Sequence, residues 1–234
     1  DQDSLVDQNL PIKFQFDGMS MTGFAGDTLA SALLANDVRL VGRSFKYHRP
    51  RGIMSAGSEE ANALVTVGSG PQQEPNIRAT QLEIYEGLEV FSQNRWPSLK
   101  WDLLALNDLV APFLNVGFYY KTFMWPKSFW EKIYEPVIRK AAGLGSLSGQ
   151  ANSERYEKAF AFCDLLVIGG GPTGLMSTLQ AGRAGMSVIL ADEDNRFGGR
   201  LNSEKTQIGG VDADQWVNTI VRELSDMPNV RLMT

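Results

Sequence analysis

Residues 165–174 read Leu165-Leu166-Val167-Ile168-Gly169-Gly170-Gly171-Pro172-Thr173-Gly174, and this stretch decides the fold of the C-terminal part of the chain. Its four apolar residues predict a short buried strand, and the glycines after them predict a tight turn. Residues 175–184 have a helical pattern that ends at Gly185, and residues 187–191 predict a second strand that ends in Asp192. Strand, glycine turn, helix, strand and acid in this order predict an α/β domain of Rossmann type.

Each of the three glycines of the motif has a mechanical reason to be there. Gly169 allows the tight turn from strand to helix, and Gly171 has no side chain to keep a pyrophosphate from the backbone. Gly174 lets the helix pack closely on the strand. The N-terminus of that helix then offers N–H groups and the positive end of a dipole to phosphates. The turn therefore predicts a dinucleotide.

An acid follows the second strand, 18 residues after Gly174. Asp192 at this position would accept hydrogen bonds from the ribose hydroxyls, and Glu193 beside it could share that role. A carboxylate repels a 2′-phosphate, so NAD or FAD is favoured over NADP. Arg196 and Arg200 weaken this exclusion, because either side chain could turn toward a phosphate.

A second glycine turn, Phe197-Gly198-Gly199-Arg200-Leu201, is typical of flavoproteins that bind two dinucleotides, so spacing alone favours FAD. A helix is predicted over residues 213–224, and residues 229–234 predict the start of another strand. A nucleotide-binding sheet needs more strands than these. We therefore expect the domain to be incomplete at its C-terminus and the chain to be the N-terminal fragment of a longer protein.

The N-terminal region predicts a different fold. Asp17-Gly18 between two alternating runs predicts a β-hairpin, because both central turn residues need positive φ. Residues 26–36 predict a helix with Asp27 as its N-cap, and residues 38–41 and 64–67 predict further short strands. Hairpin, helix and strands within about 60 residues are typical of a small α+β unit of ubiquitin or ferredoxin type.

The middle of the chain is less regular. Residues 80–90 predict a strand, and residues 99–109 and 129–142 predict helices. Residues 113–126 are rich in aromatic side chains, which we interpret as packing against a core, with a subunit or cofactor contact as the alternative.

The Gly- and Ser-rich residues 143–153 predict a linker. The predicted organisation is a β-grasp domain over residues 1–95, a helical and aromatic connection over residues 96–155, and part of a dinucleotide-binding domain over residues 156–234.

Composition limits the function classes. The 234 residues are 43% apolar, enough to fill a core, so a disordered chain is excluded. A net charge of −5 and a pI near 5.0 give no overall cationic field for nucleic acid or anionic lipid. No apolar stretch is long enough to span a membrane, and the acidic start is unlike a secretory signal. We expect a cytoplasmic protein with neither nucleic acid nor membrane as a partner.

The residues that could carry metal or acid–base chemistry are few. One cysteine, Cys163, allows no internal disulfide and no thiolate cluster, and one histidine, His48, allows no multi-histidine metal site. We therefore predict no metal site and no catalytic residue, with His48 as a hydrogen-bonded structural residue. A local cluster of cations could hold a phosphate or an acidic partner surface, or could form an internally paired loop; it comprises Arg43, Lys46, Arg49 and Arg51.

Three segments resemble a known family: residues 42–53 (Gly-Arg-Ser-Phe-Lys-Tyr-His-Arg-Pro-Arg-Gly-Ile), 117–123 (Gly-Phe-Tyr-Tyr-Lys-Thr-Phe) and 163–168. They are similar to the α subunit of heterotetrameric sarcosine oxidase. The resemblance implies a ferredoxin-like β-grasp domain followed by a nucleotide-binding domain. Relatives of this family carry cysteines spaced C-x4-C-x2-C, and the matching positions are Ser55, Glu60 and Ala63. The resemblance thus implies a ferredoxin-like domain without a cluster, kept as a structural or docking module.

The resemblance also implies the cofactors. The dinucleotide of the α subunit is expected to be NAD, with FAD as the alternative, and an FAD and an FMN are expected on or shared with a partner subunit. The family's NAD contacts correspond here to Gly169, Gly171, Thr173, Gly174, Asp192, Glu193 and Arg200, and Pro172 and Gly199 of the two glycine turns complete the predicted cofactor-binding set. Two positions depart from the family pattern: Thr173 replaces an alanine, and Arg200 replaces a small hydroxyl residue.

The expected function follows from the same resemblance. It implies partnership with β, γ and δ subunits in an oxidase that converts sarcosine to glycine and peroxide, with the one-carbon unit captured by tetrahydrofolate. Two alternatives remain: an FAD-binding subunit of an opine or amino-acid dehydrogenase, and a non-catalytic scaffold subunit with a structural nucleotide. By itself this chain is expected to be inactive.

Overall fold

The computed structural model describes residues 6–113, 125–141 and 143–234. The chain divides into two compact units, Asp1–Ser153 and Glu154–Thr234. The predicted aromatic segment lies mostly outside the described residues. The predicted boundaries near residues 95 and 155 stay predictions.

The first unit contains a five-stranded mixed sheet in the order β2-β1-β7-β5-β6. Strand β1 pairs antiparallel with β2 and parallel with β7, as expected of a β-grasp fold. The elements are β1 (Asp7–Phe16), β2 (Met19–Ala25), α1 (Leu29–Ala35), β3 (Gly42–Arg43), β4 (Pro50–Arg51), β5 (Leu64–Val67), β6 (Glu74–Arg78) and β7 (Leu88–Ser92). The core lies between sheet and helix and includes Phe14, Phe16, Leu29, Leu33 and Leu88. The predicted β-grasp class is confirmed.

The predicted hairpin at Asp17-Gly18 is confirmed. Both turn residues have positive φ, 49° at Asp17 and 79° at Gly18. The turn sets the register in which Phe16 faces Met19 across the two strands. Since side chains alternate along a strand, this register buries Phe14 and Phe16 together on the helix side.

Two local predictions in this unit were wrong, and a third was right only at its end. The N-cap of α1 is Thr28, whose hydroxyl accepts the Ser31 N–H, because the Asp27 carboxylate is already bound to the Phe24 N–H at 3.0 Å. Residues 38–41 form no strand; the short ladder lies at β3 and β4. Of the strand predicted over residues 80–90, only residues 88–90 lie in a strand, β7. Residues 80–87 are turns and irregular chain, and their alternating pattern arises because Ile84 enters the core while its N–H bonds to the Asp27 carbonyl.

The rest of the first unit contains short helical segments. A 3₁₀ helix covers Leu103–Phe113, a few residues later than the helix predicted at 99–109. Beyond the gap, a 3₁₀ turn (Lys127–Phe129) and a π-helical turn (Trp130–Tyr134) lead into α2 (Glu135–Ala141), where the sequence predicted one helix.

The second unit contains a parallel sheet in the order β12-β9-β8, which in chain order is third, second, first. That order is one half of a Rossmann sheet, so the predicted α/β class is confirmed. The elements are β8 (Leu165–Ile168), α3 (Pro172–Arg183), β9 (Val188–Ala191), β10 (Gln207–Ile208), β11 (Val211–Asp212), α4 (Ala213–Asp226) and β12 (Val230–Met233).

Helices α3 and α4 pack on one face of this sheet. Helix α4 buries Val217, Ile220 and Leu224, which lie on one helical face. On the other face of the sheet, the side chains of Leu166 and Ile168 are 54% and 82% exposed. No helix among the described residues combines the length and apolar character needed to cross a membrane.

Candidate dinucleotide site

The glycine loop, residues 169–174, joins β8 to α3. The Gly169 N–H extends the ladder by donating to the Ala191 carbonyl at 2.8 Å, and its φ of 100° lies in the left-handed region. A Cβ on Gly174 would overlap the Gly169 carbonyl oxygen. Glycine is therefore required at both positions by the fold itself, which agrees with the turn and packing roles predicted for them.

Gly171 is different, because the fold does not require a glycine there. A Cβ on Gly171 would meet no atom of the described residues within 4 Å. Its φ of −69° is open to any residue. The space beside this backbone is open, as close approach of a pyrophosphate would need.

Helix α3 begins immediately after Gly171, which is its N-cap. Pro172 has no N–H, and the Leu175 N–H donates to the Gly171 carbonyl at 2.9 Å. The first-turn donors without a partner within the helix are thus the N–H groups of Thr173 and Gly174. Two main-chain donors at a helix N-terminus beside an open backbone are the arrangement that phosphate-binding helix N-termini use.

Asp192 follows β9 and faces the glycine loop. One carboxylate oxygen accepts the Gly170 N–H, and the other accepts the Asp194 N–H at 2.9 Å. A carboxylate oxygen has two acceptor positions, so each retains one for a sugar hydroxyl. Glu193, next in the chain, is exposed. The structure therefore brings Asp192 to the loop, as predicted, and gives it a second role in holding that loop.

The second glycine turn lies directly on the first. The Gly198 N–H donates to the Gly170 carbonyl at 2.9 Å, and a Cβ on Gly199 would lie 3.2 Å from the Gly171 Cα. Both residues have positive φ, 120° and 52°. Arg200, also predicted to contact the nucleotide, is exposed and pairs with Glu204 at 3.3 Å.

Sequence reasoning missed Gly170 and Phe197. A Cβ on Gly170 would overlap the Phe197 ring and lie 2.9 Å from the Asp192 Oδ2. Phe197 is buried in the core of the second unit, so this contact fixes the second turn against the first. The only available signal was the third glycine in a run where the motif requires two.

In the first unit, His48 and Asp102 form a buried pair. The His48 Nδ1 lies 2.7 Å from the Asp102 Oδ2. The other Asp102 oxygen accepts the Trp96 and Leu104 N–H groups at 3.0 and 3.1 Å. This pair ties two distant segments together, and it agrees with the prediction of a structural His48.

Two of the neighbouring cations, Arg43 and Arg49, also make polar contacts within the first unit. The Arg43 guanidinium donates to the Leu99 and His48 carbonyls, each at 2.9 Å. Arg49 pairs with Asp108 at 2.8 Å. For these two arginines the structure therefore favours the internally paired loop over a phosphate site. Cys163, the lone cysteine, is half-buried.

Comparison with known protein families gives one match in each of the two units. Residues 9–95 match the family described as "2Fe-2S iron-sulfur cluster binding domain". Residues 164–229 match "FAD dependent oxidoreductase". The second match covers the glycine loop, Asp192 and the second glycine turn.

Over 229 residues the chain is 62% identical to "Sarcosine oxidase subunit alpha" of Rhizobium meliloti (strain 1021), a match covering 98% of this chain and 23% of that protein. The chain is a homologue of the sarcosine oxidase α subunit. The α subunit of Corynebacterium sp. (strain U-96) is 32% identical over 94% of this chain and 18% of its own length. The chain thus spans less than a quarter of the curated sarcosine oxidase α subunits that it matches.

One solved structure with a similar fold is L-proline dehydrogenase from P. horikoshii. Its TM-score is 0.52 at 17% identity, covering 97% of this chain and 34% of that one. At this identity the likeness supports the fold alone.

The family match of the first unit invites a test for an iron–sulfur cluster. The positions that the sequence resemblance aligns with the family's cysteines are Ser55, Glu60 and Ala63, and none of these residues supplies a thiolate. Among the described residues, no group of three or more His, Cys, Asp or Glu side chains is placed to hold a metal ion. The residues present therefore do not fit the cluster.

Proposed function

We propose that this chain is the dinucleotide-binding part of the α subunit of a multi-subunit flavoprotein oxidase resembling sarcosine oxidase. The observation that carries the proposal is the open space beside Gly171, at a position where the fold does not demand glycine. An open main-chain cradle at a helix N-terminus, with an acid facing it, suits the pyrophosphate and ribose of an ADP group. The homology to sarcosine oxidase α subunits supports the rest.

The residues divide the work of binding. The Thr173 and Gly174 N–H groups would hold the pyrophosphate, and Asp192 would accept hydrogen bonds from ribose hydroxyls and repel a 2′-phosphate. A nicotinamide or flavin supplies hydride-transfer chemistry when bound. We assign no catalytic base or nucleophile to this chain, and its residues bind and orient the nucleotide.

NAD is our first candidate, because the resemblance of the sequence implies it. FAD is the second, favoured by the match of residues 164–229 to FAD-dependent oxidoreductases. Both share the ADP group, which is the part that the glycine loop and Asp192 would recognise.

The proposed assembly contains β, γ and δ subunits, with an FAD and an FMN on or shared with β. In that assembly sarcosine would be oxidised with oxygen to glycine and peroxide, and tetrahydrofolate would capture the one-carbon unit. We propose a cytoplasmic location. The other candidate, an FAD-binding subunit of an opine or amino-acid dehydrogenase, is also compatible with the FAD-type match. In a third, the chain is a non-catalytic scaffold.

Mass spectrometry of the nucleotide released by denaturing the purified full chain tests the proposal. NAD supports the first candidate, and FAD with visible flavin absorption supports the second. Absence of any dinucleotide, both as purified and after incubation with NAD and FAD, would overturn both. Co-purification with a sarcosine-oxidising partner would favour the oxidase over the dehydrogenase and the scaffold.

A matched pair of variants tests the site. Gly171→Val should raise the dissociation constant at least about tenfold while the chain melts close to wild type, because a Cβ at this position meets no atom of the described residues within 4 Å. Gly185→Ala, at the far end of α3, is the control for glycine replacement; it has positive φ, so some loss of stability is expected but no loss of affinity. Equal affinity in wild type and Gly171→Val would remove the assignment.

A further inference from the structure

The Glu60 loop, residues 54–63, folds around one carboxylate. The Glu60 Oε2 accepts the Met54 and Ser55 N–H groups at 2.7 and 2.8 Å. Its Oε1 accepts the Asn62 and Ala63 N–H groups at 2.7 and 3.1 Å. Four main-chain donors from both ends of the loop thus converge on a single side chain.

This carboxylate is buried, with Glu60 2% exposed. A buried charge is costly unless hydrogen bonds replace its water. Burial alone would raise the pKa of Glu60, but the N–H groups of Asn62, Ser55, Met54 and Ala63 outweigh it, and the pKa lies below its usual value. The side chain is therefore an anion at neutral pH.

The loop is also anchored from outside. The buried Thr80 hydroxyl donates to the Gly57 carbonyl at 2.8 Å, and the Glu60 N–H donates to the same carbonyl at 3.2 Å. The Ala79 N–H bonds to the Ala63 carbonyl at 2.9 Å, which joins the end of the loop to the chain beyond β6. These hydrogen bonds therefore hold in place the loop that surrounds the Glu60 carboxylate.

We infer that the Glu60 carboxylate replaces an iron–sulfur cluster as the anion that holds this loop, so that the first unit is complete without metal. Successive main-chain N–H groups form anion-binding concavities, and many iron–sulfur sites use them. Residues 9–95 match a cluster-binding family, and Glu60 stands at one of the three positions that the sequence resemblance aligns with cysteines. In this inference, the anion at the centre of the loop is the Glu60 carboxylate and not a cluster.

The alternative is that the Glu60 loop is a metal-binding site, and the residues present fit this alternative poorly. Both Glu60 oxygens already accept two main-chain N–H groups each. At the other two positions, Ala63 has no donor atom, and the Ser55 hydroxyl lies 3.5 Å from the Glu60 Oε2. The inference concerns the first unit alone and does not depend on which nucleotide the second unit binds.

The test compares Glu60→Gln with Glu59→Gln in the full chain. The first variant keeps the size of the side chain but removes the charge and turns an amide NH₂ toward main-chain donors; the second changes an exposed neighbour. Hydrogen exchange at the Met54, Ser55, Asn62 and Ala63 amides should be at least about tenfold faster in Glu60→Gln and unchanged in Glu59→Gln. Unchanged exchange in Glu60→Gln would overturn the inference.

A measurement on the wild-type chain keeps the inference testable if Glu60→Gln does not fold. Metal analysis of the purified chain, and of the chain incubated with ferrous iron and sulfide, should find no stoichiometric iron. A chelator should leave the melting temperature unchanged. Uptake of iron and sulfide with the visible absorption of a cluster, or a chelator-sensitive melting temperature, would contradict the inference.

Discussion

The glycine loop and the Glu60 loop both offer main-chain N–H groups to an anion, but only the Glu60 loop contains that anion itself. In each, main-chain N–H groups face one small volume. At the Glu60 loop a side chain of the protein fills that volume, and both of its oxygens are bound. Beside Gly171 the volume is open. The comparison teaches that a set of main-chain N–H groups is closed by the protein where a side chain fills its centre, and is left open to the proposed ligand where none does.

The difference also separates two kinds of glycine. Gly174 is required by the carbonyl oxygen of Gly169, whereas no atom of the described residues lies within 4 Å of a Cβ built on Gly171. A glycine of the first kind reports on the fold, and we propose that Gly171, of the second kind, reports on a ligand. The largest predicted effect is on stability, and it comes from placing a side chain at Gly174.

Gly174→Val should destabilise the second unit by about 3 kcal/mol or more, because its Cβ would overlap the Gly169 carbonyl oxygen. Gly171→Ala should leave stability within about 0.5 kcal/mol of wild type. Urea denaturation followed by circular dichroism measures both. Equal losses in the two variants would erase the distinction between the two glycines.

Asp102→Ala tests a second buried carboxylate in the first unit that binds main-chain N–H groups. It leaves His48 and the Trp96 and Leu104 N–H groups without their partner, which should cost about 2–3 kcal/mol. Asp108→Ala is the control, because the Arg49–Asp108 pair is about half exposed and should contribute less than about 1 kcal/mol. Similar denaturation midpoints for the two variants would contradict the structural role of Asp102.

Acid should weaken the Glu60 loop. The pKa of Glu60 is below its ordinary value of 4.5, so its stabilising contribution is complete above that pH and is lost as the pH falls through the lowered value. Between pH 7 and about pH 3, wild type should therefore lose more stability than Glu60→Gln, whose side chain does not titrate in this range. Stability is measured by denaturant titration at each pH. Parallel losses would show that the carboxylate is not the source.

Thr178→Val should have the smallest effect and the opposite sign. The Thr178 hydroxyl is buried in α3, behind the glycine loop, and has no hydrogen-bond partner among the described residues. Replacing it with a methyl group should raise stability by about 0.5–1 kcal/mol. Thermal denaturation checks this, and Ser177→Ala on the exposed side of the helix is the control. A loss of stability would mean that the hydroxyl has a partner.

The features predicted from sequence are those coded by neighbouring residues. The glycine loop and the placement of Asp192 follow from a strand–turn–helix–strand spacing within about 30 residues. The hairpin at Asp17-Gly18 follows from a dipeptide that tolerates positive φ. In both cases the physical constraint acts within the quoted residues, so the sequence alone is sufficient.

The features that escaped prediction depend on distant partners. His48 and Asp102 are 54 residues apart, and the sequence around either residue does not indicate that their side chains form a pair. The strand predicted over residues 80–90 shows the same limit, because only residues 88–90 form a strand. An alternating pattern records burial and cannot distinguish a strand from a turn that packs Ile84 into the core. The role of Glu60 required four main-chain directions, which a sequence does not display.

The most direct test is a crystal structure of the full chain with its dinucleotide bound. The account predicts pyrophosphate oxygens within hydrogen-bonding distance of the Thr173 and Gly174 N–H groups, beside Gly171, with a ribose hydroxyl on the Asp192 carboxylate. A nucleotide bound elsewhere, with the space beside Gly171 filled by protein side chains, would contradict it.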